Sequence, residues 1–385
     1  MTEAMFATCP RGLEPALASE LEASGARDTR AVGGGVHFAG DLAVCYRANL
    51  ESRIASRVLR RVTQAPYRTE QDVYDTAHAV RWSDQFDVGC SIRVDVSAIR
   101  CPLKSLEFVT LRIKDAVCDR FRADAGRRPD VDTRTPDVRI HAFLDEHSVT
   151  LYLDTSGEPL WKRGLRGATG EAPLRENLAA GMIALSGWRP EEPFFDPMCG
   201  SGTILAEAAQ IALGIAPGSR RPFAFERLRG FDAALWRKLR DAARERASGA
   251  RRPAIFGADR DASILDSARS ALEQTGLAGA VRLERADILE VGAPAPEGVM
   301  ITNPPYGVRV GEDAELAGFY PKLGDALKAR FAGWRCYILT ADLRLAKLIG
   351  LKASKRTPLF NGPLECRLFE FRIVAGSMRT QREKR

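Results

Sequence analysis

Histidine is scarce in this chain, with four residues in 385. The eight cysteines (Cys9, Cys45, Cys90, Cys101, Cys118, Cys199, Cys336 and Cys366) are scattered, with no C-x-x-C pair. These shortages argue against a zinc site or any other metal centre, and the spacing argues against a disulfide framework. The thiols read instead as small buried hydrophobes of a reducing compartment. No apolar run reaches the roughly 18 residues of a membrane helix, and Met1–Pro10 lacks the architecture of a signal peptide. A cytoplasmic location is expected. Internal repeats and low-complexity stretches are also absent.

What is present is an ordinary globular composition, 45% hydrophobic and 28% charged, in a chain long enough for two or three domains. The formal net charge is +7. Residues 343–385 carry 11 Lys+Arg against 3 Asp+Glu, whereas residues 1–342 are nearly balanced. The excess therefore sits at the C-terminal end, where it can serve a polyanion such as RNA. Its last stretch, Arg379–Arg385, also reads as a solvated tail.

Residues 1–155 read as an α+β region. Leu13, Leu17 and Leu21 repeat at helical spacing over Leu13–Ser24, and Val36–Ala39 reads as a strand. Ser91–Ile99 alternates with period two, and Leu106, Val109, Ile113, Val117 and Phe121 mark a helix after it. Arg139–Leu144 and Ser148–Asp154 read as a strand pair. Thr155–Pro173 is rich in Gly, Pro and basic residues and reads as a linker. Beyond it, strands at Phe194-Phe195, Ala254–Ala258, Val281–Glu284, Val299–Thr302, Cys336–Thr340 and Leu368–Val374 alternate with helices. That alternation predicts a doubly wound, mostly parallel sheet of the Rossmann-like α/β class. A basic helix at Ala233–Arg246 reads as an insertion between the first two strands.

The chemistry is concentrated at the ends of those strands. Asp196-Pro197-Met198-Cys199-Gly200-Ser201-Gly202-Thr203 leaves a short strand and opens a helix at Ile204. Its glycines let the backbone turn sharply beside a ligand. It has neither the P-loop lysine nor the G-x-G-x-x-G spacing of a dinucleotide site. An acid before the glycines and hydroxyls after them suit a nucleoside cofactor with a zwitterionic amino-acid end, as in S-adenosylmethionine. At the end of the second strand, in Ala258-Asp259-Arg260-Asp261, Asp259 is placed to accept ribose hydroxyls, while Asp261 can cap the next helix. Asp287 is a candidate acceptor for the adenine amine, with Ile288 packing on the ring.

Asn303-Pro304-Pro305-Tyr306-Gly307 ends the fourth strand. An exocyclic amine on a base is a poor nucleophile because its lone pair is delocalised into the ring. The Asn303 side-chain carbonyl and the Pro304 backbone carbonyl can accept both N–H groups and favour a pyramidal nitrogen aimed at a sulfonium methyl. Pro304 and Pro305 stiffen the loop, and Tyr306 offers a ring for the base to stack on. Asn303 thus belongs to both the catalytic and the cofactor-facing candidates.

These strings resemble the class I methyltransferases that act on amino groups. More narrowly, the chain is similar to the THUMP-domain RNA guanine-N2 methyltransferases, above all the bacterial family acting on 23S ribosomal RNA. The resemblance is carried by Cys9-Pro10-Arg11-Gly12-Leu13-Glu14, by Leu153–Glu158 through Lys162-Arg163-Gly164, by Pro173-Leu174-Arg175-Glu176-Asn177-Leu178-Ala179-Ala180, and by Asn361-Gly362-Pro363-Leu364-Glu365-Cys366-Arg367-Leu368. It implies a ferredoxin-like part at 1–44, a THUMP RNA-binding domain at 45–155, a linker at 156–172 and a methyltransferase domain at 173–385. It also implies S-adenosylmethionine as cofactor and structured RNA (rRNA, alternatively tRNA) as partner; the sequence does not specify an oligomeric state, and a monomer is the default. Residues 1–155 hold 21 basic and 23 acidic residues, so an RNA surface there is a local patch; Lys104, Arg112, Lys162, Arg163 and Arg166 are candidates. A second catalytic domain, fused behind the first in some relatives, is not expected. DNA adenine or protein glutamine methylation fits the N-P-P-Y loop but not the N-terminal module. A non-catalytic RNA-binding factor would be expected to have lost some of Asp196, Gly200, Gly202, Asp259 and Asn303.

Overall fold

Residues 2–164, 174–248, 253–305 and 313–374 are described by the computed structural model of the chain. They fold into two units of discontinuous sequence. The first holds Met1–Cys9, Leu17–Leu160 and Gly218–Asp241; the second holds Pro10–Ala16, Trp161–Pro217 and Ala242–Arg385. Among the described residues no helix is long and apolar enough to cross a membrane.

The first unit begins with β1 (Glu3–Thr8), α1 (Glu14–Ala23), β2 (Arg27–Val32), β3 (Gly35–Gly40), α2 (Leu42–Glu51) and β4 (Arg57–Pro66). Helix α1 continues into this unit from Pro10–Ala16 of the other. The βαββαβ succession and the strand order β2-β3-β1-β4 are ferredoxin-like. The same sheet then continues, because β7 (Ser148–Asp154) pairs antiparallel with β4. Beyond β7 lie β6 (Val138–Leu144) and the parallel β5 (Ile92–Ala98). Two further helices belong here, α3 (Glu70–Ala79) and α4 (Leu106–Ala125). Most of the expected face of α4 is buried: Val109, Ile113, Val117 and Phe121 are at most 1% exposed, whereas Leu106, at the first turn, is 38% exposed.

Two expected boundaries do not hold. A break after residue 44 would cut α2 between Val44 and Cys45, both buried. Gly218–Asp241, expected in the C-terminal domain, instead belongs to the first unit. The reason is aromatic burial. Tyr46 of α2 stacks on Phe225 at 4.4 Å, Trp236 meets Phe225 edge-on at 5.0 Å, and the Asp232 N–H donates to the Tyr46 hydroxyl at 3.0 Å. Rings of this size dominate local packing energetics wherever they can be desolvated together.

The second unit starts with α5 (Glu176–Ser186), β8 (Phe194–Asp196) and α6 (Thr203–Ala212). The insertion helix α7 (Ala233–Ser248) follows, beginning in the first unit and ending in the second, and then β9 (Ile255–Asp259) and α8 (Ala262–Gln274). Strands β10 (Val281–Arg285) and β11 (Gly298–Thr302), helix α9 (Asp313–Arg330), β12 (Trp334–Thr340), α10 (Leu343–Leu348), β13 (Lys355–Asn361) and β14 (Leu364–Arg372) complete it. The sheet order is β10-β9-β8-β11-β12-β14-β13. Strands β8 to β12 run parallel, and β14 and β13 close the edge antiparallel. Pro358 lies in β13, which is an edge strand and tolerates a missing N–H donor. Leu316, Tyr320, Leu323 and Leu327 of α9 pack into one core with Phe195, Met300 and Trp334 of the sheet.

Candidate active site

The strand order reverses at β8, with β9 on one side and β11 on the other. In open α/β sheets, ligands bind at that switch point, outside the carboxyl ends of the strands. Phe194 and Phe195 of β8 pair with Val299 and Met300 of β11. Asp196 thus ends β8 level with Ile301, and Asn303 leaves the same end of the sheet two residues further along, just past β11.

The loop after β8 is a tight cradle. The Met198 N–H donates to Asp196 Oδ1 at 3.2 Å, the Cys199 N–H to the Ala258 carbonyl at 2.9 Å and the Gly202 N–H to the Cys199 carbonyl at 2.8 Å. Gly200 has φ +53°, and a Cβ built there would meet nothing within 4 Å, so the loop presents bare backbone to open space. Gly202 has φ +79° and caps α6; a Cβ there would lie 3.4 Å from Ala268. Both glycines supply a left-handed conformation that other residues adopt at a cost. The Ser201 and Thr203 hydroxyls lie 3.4 Å apart at the start of α6.

Asp196 is 1% exposed. Burial pushes its carboxyl up to about 7, and the nearby Asp259 adds to the rise, against the Thr302 hydroxyl and the Met198 N–H, which pull it down. An anion held in so dry a place calls for a cation. Asp259 ties the two loops together: Oδ2 accepts from the Gly200 N–H at 3.1 Å and Oδ1 from the Asp261 N–H at 3.0 Å. A carboxylate has about four acceptor positions, so capacity remains for a ligand. Arg260, beside it, is exposed. Asp261 is the cap of α8, accepting from the Ser263 and Ile264 N–H groups. Asp287 is half-buried and accepts from the Leu289 N–H at 2.9 Å through one oxygen. Ile288 is 2% exposed within the core, so it anchors the loop that carries Asp287 and leaves at most an edge for a ring. Burial, then Asp196 and Asp259, raise the Cys199 thiol, which makes it a packing group rather than a nucleophile.

On the β11 side, Asn303 Oδ1 is buried and meets no hydrogen-bond donor among the described residues. Buried acceptors are nearly always satisfied, and an orphan marks a place where a partner is missing. Pro304 is buried, while Pro305 is exposed and its carbonyl accepts from the Tyr320 hydroxyl at 3.3 Å. Tyr306 lies outside the described residues. Tyr320 and Thr302 were not anticipated from the sequence. Tyr320 sits on the Leu316-Tyr320-Leu323-Leu327 face of α9, a helical period legible in the sequence, though Pro321 beside it reads as a helix breaker.

The RNA candidates divide. Lys104 is exposed, and Arg112 stacks over Tyr74 at 4.3 Å and donates to Gln71 at 2.6 Å. Lys162 is exposed. Arg163, expected at the RNA surface, instead pairs with Glu207 of α6, and the two side chains are 1% and 0% exposed. A guanidinium committed to a buried carboxylate is not offered to a phosphate. Arg166 and Arg379–Arg385 lie outside the described residues.

Comparison with known families now bears on the site. Residues 163–370 match the RMKL-like methyltransferase domain, residues 4–59 the RlmL ferredoxin-like domain and residues 67–154 the THUMP domain. This chain belongs to the RMKL-like methyltransferase family. It is 42% identical to the ribosomal RNA large subunit methyltransferase K/L of Aeromonas salmonicida, over 98% of this chain and 55% of that protein. It is 37% identical to the Synechocystis sp. protein slr0064, provisionally named as an RNA methyltransferase, over 97% of both. The crystal structure of SMU.472, solved with S-adenosylhomocysteine, superposes with a TM-score of 0.88 at 32% identity, covering 98% of this chain and 99% of that one. The methyltransferase spans about half the length of the K/L relatives.

Proposed function

We propose that this methyltransferase transfers the methyl group of S-adenosylmethionine to the exocyclic N2 amine of a guanine in RNA, with 23S ribosomal RNA as the substrate. The observation that carries the reading is the buried, unsatisfied Asn303 Oδ1 beside the glycine loop at the switch point. The K/L name of the A. salmonicida relative supports the RNA assignment, and the ligand of SMU.472 supports the cofactor.

The residues fit that cofactor. Asp196 is a dry carboxylate suited to the α-ammonium group, Gly200 and Gly202 leave room for the amino-acid end, and Asp259 has acceptor capacity for the ribose hydroxyls. Pro197, Ser201 and Thr203 complete the loop, and Asp287 is available to the adenine amine through its second oxygen. When bound there, S-adenosylmethionine would supply an electrophilic methyl on a sulfonium sulfur, with the neutral thioether as leaving group. Asn303 Oδ1 and the Pro304 carbonyl accept the two N2–H groups of the guanine, localising the nitrogen lone pair. Tyr320 holds the Pro305 carbonyl and with it the course of the loop. The nitrogen gains the methyl and sheds one proton to water. Most of the acceleration is positional.

The test is transfer of labelled methyl to total RNA from cells lacking the gene, followed by nucleoside mass spectrometry. Label in N2-methylguanosine of large-subunit rRNA is the expected result. Label in tRNA would change the substrate, and no label in any RNA would refute the reading.

A further inference from the structure

The first unit contains a cavity of about 470 Å³ between β1, β4, the start of α2 and the Phe225–Leu235 segment, a size suited to one small planar ligand. The methyl-transfer site makes no use of it. Its walls are aromatic. Tyr46 and Phe225 stack on each other, and Phe231 lies 6.0 Å from each ring. Tyr46 and Phe225 are 1% and 3% exposed, which leaves the half-buried Phe231 as the ring a ligand can reach.

The polar lining is sparse and directional. Arg60 is engaged on both sides, donating to Glu3 Oε1 at 3.0 Å and to Gln85 at 2.8 Å. The other oxygen, Glu3 Oε2, is buried and meets no donor among the described residues, although the side chain as a whole is 30% exposed. Glu3 is thus an acceptor short of donors. Arg229 also lines the cavity, with its side chain 55% exposed and Asp87 at 3.4 Å as its ion-pair contact.

An aromatic face, a carboxylate with one oxygen lacking a donor and an exposed guanidinium together describe a nucleotide. Among the four RNA bases, guanine alone sets two N–H donors side by side on its Watson–Crick edge. Adenine and cytosine put a ring-nitrogen lone pair next to their amine, which a carboxylate repels, and uracil flanks its one N–H with carbonyls. We infer that this cavity receives an unpaired guanine of the RNA substrate. Its ring lies against Phe231, its N1–H and N2–H meet Glu3, and its phosphate meets Arg229. The inference rests on the RNA reading above and adds a second guanine-recognition site, in the unit that does not carry the methyl-transfer loop.

The test uses the full chain and short uridine oligonucleotides bearing a single central guanosine, inosine or adenosine, at one fixed salt concentration. Inosine keeps N1–H and lacks the N2 amine. All proteins carry Asn303→Ala, so that the methyl-transfer loop does not supply the guanine preference. The guanosine oligonucleotide is expected to bind about 10-fold more tightly than the inosine one, the effect of one hydrogen bond to a charged acceptor. Adding Glu3→Gln should erase that preference. Adding Phe231→Ala should weaken binding about 5- to 150-fold, the range for a base stacked on an aromatic ring. A preference that survives both substitutions, or is already absent with Asn303→Ala alone, overturns the inference and leaves the RNA reading intact. Guanosine monophosphate binding that depends on Phe231, with no oligonucleotide bound, would assign the cavity to free nucleotide. It would overturn the inference, while the RNA reading would still stand or fall on the methyl-labelling experiment.

Discussion

Asp196→Asn should stabilise the ligand-free protein and weaken its hold on the cofactor, both in a pH-dependent way. The carboxyl moves from 3.8 to about 7 on folding, so the native state binds a proton more tightly than the unfolded chain. Its contribution to stability is complete below pH 4 and is lost as pH rises through 7. At 1.36 kcal/mol per unit, the loss at pH 8 is about 4 kcal/mol as an upper figure, and 2–4 kcal/mol is the working range. Asparagine keeps the acceptor for the Met198 N–H and cannot ionise. Its advantage should therefore be near zero at pH 3, about 1–2 kcal/mol at pH 5 and about 2–4 kcal/mol at pH 8, the last roughly 4–16 °C in Tm for a unit of this size. Binding of S-adenosylhomocysteine, whose ammonium group needs the ionised acid, should weaken in the native protein as pH falls below 7. In the variant it should be weaker throughout and lack that acid-side loss. Urea unfolding at pH 5 and 8, with calorimetric titration of the ligand, measures both effects. A variant no more stable than the native protein at pH 8, or equally stabilised at both pH values, would refute the argument that burial, helped by Asp259, holds the proton.

Other outcomes follow from the same geometry. Asn303→Ala should lower methyl transfer about 100-fold or more, by analogy with loss of one preorganised polar group, with S-adenosylhomocysteine affinity nearly unchanged; retained turnover would remove Asn303 from the chemistry. Tyr320→Phe deletes the hydroxyl that holds the Pro305 carbonyl and should cost up to about 10-fold in kcat, leaving cofactor affinity and Tm near native; a loss confined to Tm would make Tyr320 structural only. Arg163→Ala removes the guanidinium that pairs with the buried Glu207 and should cost up to about 3–5 kcal/mol of stability. RNA affinity of the folded variant at low temperature should match the native protein, and a selective loss of RNA binding would restore Arg163 to the interface.

The parts of the site that were legible in the sequence are those whose geometry is local. A strand ending in Asp196, two glycines needing positive φ and a helix beginning at Thr203 are specified within ten residues, and so is the cap formed by Asp261. The period-two pattern of Ile92 and Val94 and the helical face of α4 were legible for the same reason. What escaped depends on distant partners. Arg163 looks like surface charge until Glu207, 44 residues on, takes it inside. Phe225, Phe231 and Trp236 read as part of the C-terminal domain because nothing near them reveals Tyr46 as their partner. Tyr320 was hidden by its neighbour Pro321, which argues locally against the helix that places it.

The interleaved segments of the two units bear on how the chain is made. The aromatic cluster around Tyr46 has its last ring, Trp236, about 190 residues downstream, so at roughly 5–20 residues per second on the ribosome Tyr46 is synthesised about 10–40 s before the cluster can close. Over that interval the helix carrying Tyr46 has a large apolar face with no permanent cover. Nascent chains halted before residue 225 should engage a chaperone, and release from it should coincide with synthesis of Gly218–Asp241 rather than with completion of β7.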